Sequence, residues 1–241
     1  EGLEHNLIVF VNGRAEKIDF HYEDKDMIEV SDYSELDTNY QNINSLINLN
    51  SAFCNKNFKI TVKENYSLKK PLVIYHRTNN KIKLINVNLR LNFVLAKNSC
   101  LKLIDVLDDM SDKNFINTFY SFKLSKDSIL KNYKLDLKNN TNVKYSFTNI
   151  DQEKNSLSET FILSSGSDFT KNEVKCNLSG EYSSAFINGI FDLNQKKHHE
   201  ISTNINHIAE KTKSYQLVKG VLENESRAVY QGKIFVDSKA Q

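Results

Sequence analysis

Between Phe58 and Val236 the chain repeats one unit: a short run of apolar residues alternating with polar ones, then a small polar corner. Starts recur roughly every 13–15 residues, leaving about eight for a strand and five for a turn. The runs are Phe58–Val62, Leu72–His76, Leu89–Leu95, Leu101–Leu107, Ile116–Leu124, Ile129–Leu137, Val143–Ile150, Ser158–Leu163, Asp168–Leu178, Ser184–Leu193, Glu200–Asn206, Ser214–Leu222 and Arg227–Val236. Side chains alternate across a strand, so period two marks one buried and one mostly wet face. In the last run Ala228, Tyr230, Gly232, Ile234 and Val236 share a face, with Val229 and Phe235 as exceptions on the other. The inward sets read as Ile129, Tyr133, Leu135 and Leu137, then Val143, Tyr145 and Phe147, then Ala185, Ile187, Gly189, Phe191 and Leu193.

Strands at such spacing without intervening helices form a sandwich, a barrel or a β-solenoid. Two features favour the solenoid. The corners (Asn98-Ser99, Asp127-Ser128, Asn140-Thr141-Asn142, Ser165-Gly166-Ser167, Ser179-Gly180, Glu225-Ser226) lack the Asn-Gly and Asp-Gly pairs of tight antiparallel hairpins. Two units make about 26 residues, a full coil with one strand in each of two facing sheets. One proline and seven glycines in 241 residues leave Asn, Asp, Ser and Lys to build the turns. Pro71 stands at a strand entry, where a missing N–H is tolerated.

The first fifty-odd residues read differently. Leu7–Asn12, Gly13 and Ala15–Phe20 predict a hairpin on an Asn-Gly turn. Residues 21–42 are polar with weak periodicity and read as loop. Ile43, Leu46, Ile47, Leu49 and Phe53 fall near helical spacing, predicting one short helix over Ile43–Phe53. The division is residues 1–55 for these elements and 56–241 for the repeating core.

The formal charge of +2 comes from 32 basic and 30 acidic residues spread along the chain, which argues against a nucleic-acid partner. No apolar run approaches the roughly 18–20 residues of a membrane span. Cys54, Cys100 and Cys176 lack CxxC spacing and fit a reducing compartment, and Cys100 and Cys176, in alternating strand context, read as buried small hydrophobes. His198 and His199 point to opposite faces of a strand and read as solvated or interface residues; His5, His21 and His76 have no evident partner. Asp108-Asp109 and Glu23-Asp24 lie in hydrophilic loops, and neither a Walker, GxSxG, GxGxxG nor HExxH motif is present. The chain shows no catalytic constellation. It ends directly after a strand, so the expectation is that a partner covers that end and that the natural protein continues.

The terminal stretch carries a long, ordered likeness. His207, Lys213-Ser214-Tyr215-Gln216, Lys219-Gly220-Val221-Leu222, Ser226-Arg227-Ala228-Val229-Tyr230, Gly232-Lys233-Ile234 and Ala240-Gln241 resemble the signature of the SufB/SufD family of iron–sulfur cluster assembly proteins, and most closely SufD. Leu7–Arg14 looks like the family's opening strand and turn, and Lys70–His76 is similar to a later strand. The resemblance implies an all-β fold, a right-handed parallel β-helix with a short N-terminal hairpin and one short helix. It implies a non-catalytic scaffold in a bacterial cytoplasm or plastid stroma. Such a scaffold pairs with a SufB-like subunit through its β-helix edge and works with a SufC-like ATPase, docked on a C-terminal region absent here. His207, Ser214, Gln216, Lys219, Gly220, Arg227, Tyr230, Gly232 and Gln241 are then fold or interface residues, not catalytic or metal ligands. The iron–sulfur cluster is the product of the full complex rather than a cofactor of this chain, and the isolated core could form a homodimer. The alternative is a β-helix enzyme acting on polysaccharides. Such an enzyme stacks like charges at outward positions, whereas here those positions mix Lys, Asn, Ser and Glu.

Overall fold

The computed structural model describes residues 2–33, 44–54, 57–78, 84–108 and 111–240. From β4 (Asn57–Val62) onward, successive strands alternate between two facing sheets. Sheet I takes β5 (Leu72–Arg77), β7 (Cys100–Leu107), β9 (Ile129–Asp136), β11 (Leu157–Ser164), β13 (Ser184–Leu193) and β15 (Lys213–Leu222). Sheet II takes β4, β6 (Asn86–Leu95), β8 (Phe115–Leu124), β10 (Asn140–Gln152), β12 (Ser167–Leu178), β14 (His198–His207) and β16 (Arg227–Val236). Neighbours within each sheet are parallel, in the register Cys100↔Ile129↔Leu157↔Ser184↔Lys213, steps of 29, 28, 27 and 29 residues. The result is a β-solenoid of about six turns, its coils slightly longer than the 26 residues read from the sequence. Each coil hydrogen-bonds to the next and shares its interior with the strand across the lumen.

The corners explain how a chain almost free of glycine turns so often. Asn98, Asp127 and Asn155 sit at φ of 55, 61 and 57°, the left-handed region that Asn and Asp tolerate best after glycine. The residue after each is a buried serine: Ser99, Ser128 and Ser156 donate both N–H and Oγ–H to the carbonyl three residues back. The corners also stack. The Asn98 amide donates to Asn65 Oδ1 at 3.0 Å, and that of Asn155 to Asp127 Oδ1 at 2.7 Å. The Asn98-Ser99 and Asp127-Ser128 corners read from the sequence, and Asn155-Ser156 with them, thus close a turn within one coil and tie it to the next.

The N-terminal hairpin is β1 (Asn6–Val11) and β2 (Arg14–Asp19), turned by Asn12 and Gly13 at φ of 50 and 76°. β1 also pairs in parallel with β5, so the hairpin extends sheet I. Residues 21–42 are not all loop: β3 (Ile28–Tyr33) pairs antiparallel with β4 and caps sheet II, its edge pairing supplying an order that its weak alternation hides. Residues 34–43 lie outside the described residues. The helix α1 runs from Ser45 to Phe53, with Asn44 Oδ1 accepting the Ile47 N–H at 2.9 Å as N-cap. It lies on the outside of sheet II, over β6 and β8. Ile47 and Leu46 pack with Phe115, Phe119, Tyr145 and Phe147, while Phe53, placed on the apolar face by spacing, is exposed.

The main core is the lumen, rich at its N-terminal end in Ile8, Phe10, Ile60, Leu72, Leu91, Phe93 and Phe122. In the middle coils it changes character. Two of the three inward sets are reversed. In β9 the lumen receives Leu130, Asn132, Lys134 and Asp136, whereas Ile129, Tyr133 and Leu135 face outward and Leu137 is exposed. In β10 the inward residues are Lys144, Ser146, Thr148 and Ile150, and Tyr145 and Phe147 lie under α1, with Val143 exposed. Polar residues inside and apolar ones outside defeat an assignment made from hydropathy alone. The third set, Ala185 to Leu193 in β13, points inward as read.

Candidate functional site: the open terminal coil

β15 and β16 are the last strands of their sheets, so each offers one row of backbone N–H and C=O groups without a neighbouring strand. Their lumen-facing side chains keep the inward direction of the preceding coils but have no further coil over them. Ala228 still packs on the core, while Leu222, Tyr230, Ile234 and Val236 are exposed large hydrophobics.

Four of the nine residues singled out in the sequence, His207, Ser214, Gln216 and Tyr230, meet here in two hydrogen-bonded groups. At the end of β14, His207 shares one hydrogen bond with Thr212 Oγ1 at 2.7 Å and another with Ser214 Oγ at 2.9 Å. Burial pushes the His207 imidazole below its ordinary pKa, favouring the neutral ring that can both donate and accept. Across the lumen mouth the Tyr230 hydroxyl donates to Gln216 Oε1 at 2.7 Å, and Thr203 Oγ1 donates to the same oxygen. Gly232 leaves room for this bridge, since a Cβ there would stand 3.0 Å from the Tyr230 oxygen. Gly220 sits where a Cβ would meet Leu222 Cδ1 at 3.1 Å and Phe191 Cβ at 3.5 Å. Lys219 and Arg227 stand apart. Lys219 is on the outer side of β15 beside Ile190, and Arg227 opens β16 with its N–H on Lys197 O at 2.8 Å. Gln241 lies outside the described residues. The His207–Ser214 bridge ties β14 to β15, and the Gln216–Tyr230 bridge ties the two edge strands to each other across the lumen.

A second polar system lies deeper, and spacing did not reveal it. His76, placed without a partner by the sequence, contacts Asp105 Oδ1 through Nε2 at 2.7 Å, with the Tyr120 hydroxyl 3.1 Å from the same nitrogen. One coil on, Lys134 Nζ donates to Ser146 Oγ at 2.7 Å and lies 4.0 Å from the Tyr120 ring centroid. Beyond it Asp136 Oδ2 accepts from Thr170 Oγ1 at 3.2 Å, and His199 bonds Ser164 Oγ and Ser167 O. His199 is therefore wholly buried rather than solvated; only His198 faces outward, against the edge of Phe169. Burial alone would raise the Asp105 carboxyl, yet His76 beside it, with Lys134 and Lys144, holds it well below the usual carboxylate range. Burial drives Lys134 down to about 7, further than the Asp105 charge restores it. These groups form a seam of charge down the lumen.

Cys176 is fully buried and burial pushes its thiol up to about 12, so it is not a ready nucleophile. Cys100 is half-buried on the outer side of sheet I, and its thiol is likewise raised by burial. Among the described residues no group of three or more His, Cys, Asp or Glu side chains is placed to hold a metal ion, and no helix is long and apolar enough to cross a membrane.

A search of curated proteins finds no match to the chain. A family model does match: the one described as SUF system FeS cluster assembly, SufBD core domain, over residues 76–241. The match takes in β6 to β16, both hydrogen-bonded groups of the terminal coil and the full polar seam. On that match, and with the solenoid it covers, the chain belongs to the SufB/SufD core-domain family of the SUF iron–sulfur cluster assembly system.

Proposed function

We propose that the chain is the core of a SufD-like, non-catalytic scaffold subunit that pairs with a SufB-like subunit through the open end of its solenoid. The observation that carries this reading is the terminal coil. Two parallel edge strands and the apolar side chains Leu222, Ile234 and Val236 are exposed there, with the Gln216–Tyr230 bridge tying the edge strands to each other and the His207–Ser214 bridge tying β14 to β15. A strand added to either edge gains main-chain hydrogen bonds at once, and the apolar rim is buried with it. Coil-to-coil bonding makes the body stiff, which suits a platform that holds an assembly site between subunits.

The cluster is then the product of the complex, built with a SufC-like ATPase. The setting is a bacterial cytoplasm or plastid stroma. Without its partner the same end supports a homodimer of the core.

The test is affinity purification of the full-length protein co-expressed with its SufB-like and SufC-like neighbours, with mass-spectrometric identification of what is retained. The wild type should retain both. Ile234→Glu with Val236→Glu, both exposed on the rim, should lose the SufB-like subunit while keeping its circular dichroism and melting transition. Retention unchanged by the double substitution, or ATPase activity or a stable brown cluster on the isolated core, overturns the reading.

A further inference from the structure

The two sheets are dressed differently on the outside. On β12 and β14 the outer side of sheet II carries Lys171, Glu173, Glu200, Ser202, Asn204 and Asn206, laced by ion pairs such as Lys171–Glu200, and only at the terminal strand β16 do Val229 and Phe235 stand exposed beside them. Its apolar patch, Phe115, Phe119, Tyr145 and Phe147, is covered by α1. Sheet I carries apolar columns down its outer side. Ile104, Tyr133 and Phe161 stack in register, as do Val106, Leu135, Leu163 and Ile190, and Phe186 stands beside Tyr215. Tyr133, Ile190, Tyr215, Leu217 and Val221 are exposed. Parallel sheets are ordinarily covered on both faces, yet α1, the only α-helix among the described residues, packs on the other sheet.

We propose that the outer face of sheet I is the seat of an amphipathic helix from a partner protein, apolar on one side and acidic on its flanks. The molecule holds its own precedent, since α1 sits with Leu46 and Ile47 on an aromatic patch of sheet II. The matching patch on sheet I has a groove of about 310 Å³ lined by Tyr133, Glu159, Thr160, Phe161, Phe186 and Asn188, a socket for a helix side chain. The sign of the partner follows from charges on this face. Lys102, Lys131, Lys213 and Lys219 point outward with the apolar columns, against Glu159 and Asp192, and Glu159 is paired with Lys131 at 3.0 Å. That surplus disfavours a second copy of the same face and favours carboxylates beside the apolar stripe. The surface is distinct from the open end, so its test needs no SUF partner.

The probe is a fluorescein-labelled synthetic helix of roughly 18 residues, long enough to hold helical structure, with leucine on one face and glutamate on the flanks. A twin carries lysine flanks. Anisotropy titrations with the whole chain should show the glutamate helix binding at least about tenfold tighter than its twin. Phe161→Glu should remove binding. Because that variant could unfold, Lys102→Glu with Lys213→Glu, both at exposed positions, should narrow or reverse the preference. Failure of the glutamate helix to bind, binding untouched by both variants, a dimer lost in Phe161→Glu, or binding to phosphatidylserine vesicles in place of the helix each overturns the proposal.

Discussion

Lys134 offers the sharpest quantitative test of the polar lumen. The residue is 3 % exposed, and burial lowers its pKa from 10.5 to about 7. In the unfolded chain the same lysine titrates near 10.4. Between pH 7 and pH 10 the unfolded chain therefore binds one proton that the folded chain lacks, and stability rises with pH across that window by about 1.4 kcal/mol per unit. Below pH 7 the full penalty stands, about 5 kcal/mol from the size of the shift. Lys134→Met keeps the length of the side chain and removes the charge. It also removes the donor to Ser146, a loss of about 1 kcal/mol. At pH 6 the variant should be more stable than the wild type by roughly 3–4 kcal/mol, the shift less that bond. The advantage should fall by about 2 kcal/mol between pH 7.5 and 9, a change of roughly 4–8 °C in the difference between melting temperatures. Thermal melts of both proteins across pH 6–9 supply the measurement. Cys176, raised to about 12, lowers stability only above its ordinary range near 9 and is common to both proteins. His199 and His207, both depressed by burial, act chiefly below their ordinary 6.5. If the two stability profiles run parallel from pH 7 to 9, Lys134 is not held neutral and the seam is not the desolvated array described above.

Other substitutions probe the parts separately. Asp105→Asn leaves His76 and Lys134 without a carboxylate and should cost about 3–5 kcal/mol at pH 7 in urea unfolding. The Asp105 carboxyl is depressed, so its contribution is present above the ordinary carboxylate range and lost as pH falls; the deficit of the variant should shrink with it. Gly180→Ala would set a Cβ 1.9 Å from Lys154 N and 2.2 Å from Glu153 C, both backbone atoms of the adjoining corner. It should be among the most damaging single changes, more than about 3 kcal/mol by the same assay, and a loss under 1 kcal/mol would refute the close coil-to-coil approach. Asn155→Ala puts a Cβ without a capping amide at φ 57° and removes the bond to Asp127, for a loss of about 1–2 kcal/mol.

The strands were legible because period two survives whichever face is inside. Every strand from Phe58 onward was read within a few residues of its observed limits, and Asn98-Ser99 and Asp127-Ser128 were legible as corners. What period two cannot supply is phase. In β13 the apolar residues do point inward. In β9 the same rule sent Tyr133 and Leu135 inward and Lys134 and Asp136 outward, the reverse of what is found. A buried lysine is tolerated only with partners, and here they come from other coils. Asp105 lies 29 residues before it and Ser146 twelve after, at distances in sequence where no local pattern links them. His76 was obscure for the same reason, its partner Asp105 being one coil away. The terminal motif was legible only through its likeness to the SufB/SufD family; its pairs, His207 with Ser214 and Gln216 with Tyr230, were not, the second being half a coil apart across the lumen. In a solenoid, proximity along the axis is set by the coil length, so a residue's neighbours are those one coil on. Reading such a chain in steps of 27–29 places Asp105 beside Lys134 and Tyr133 beside Phe161. The first pair marks the polar stretch of the lumen, and the second an apolar column on the outer face of sheet I.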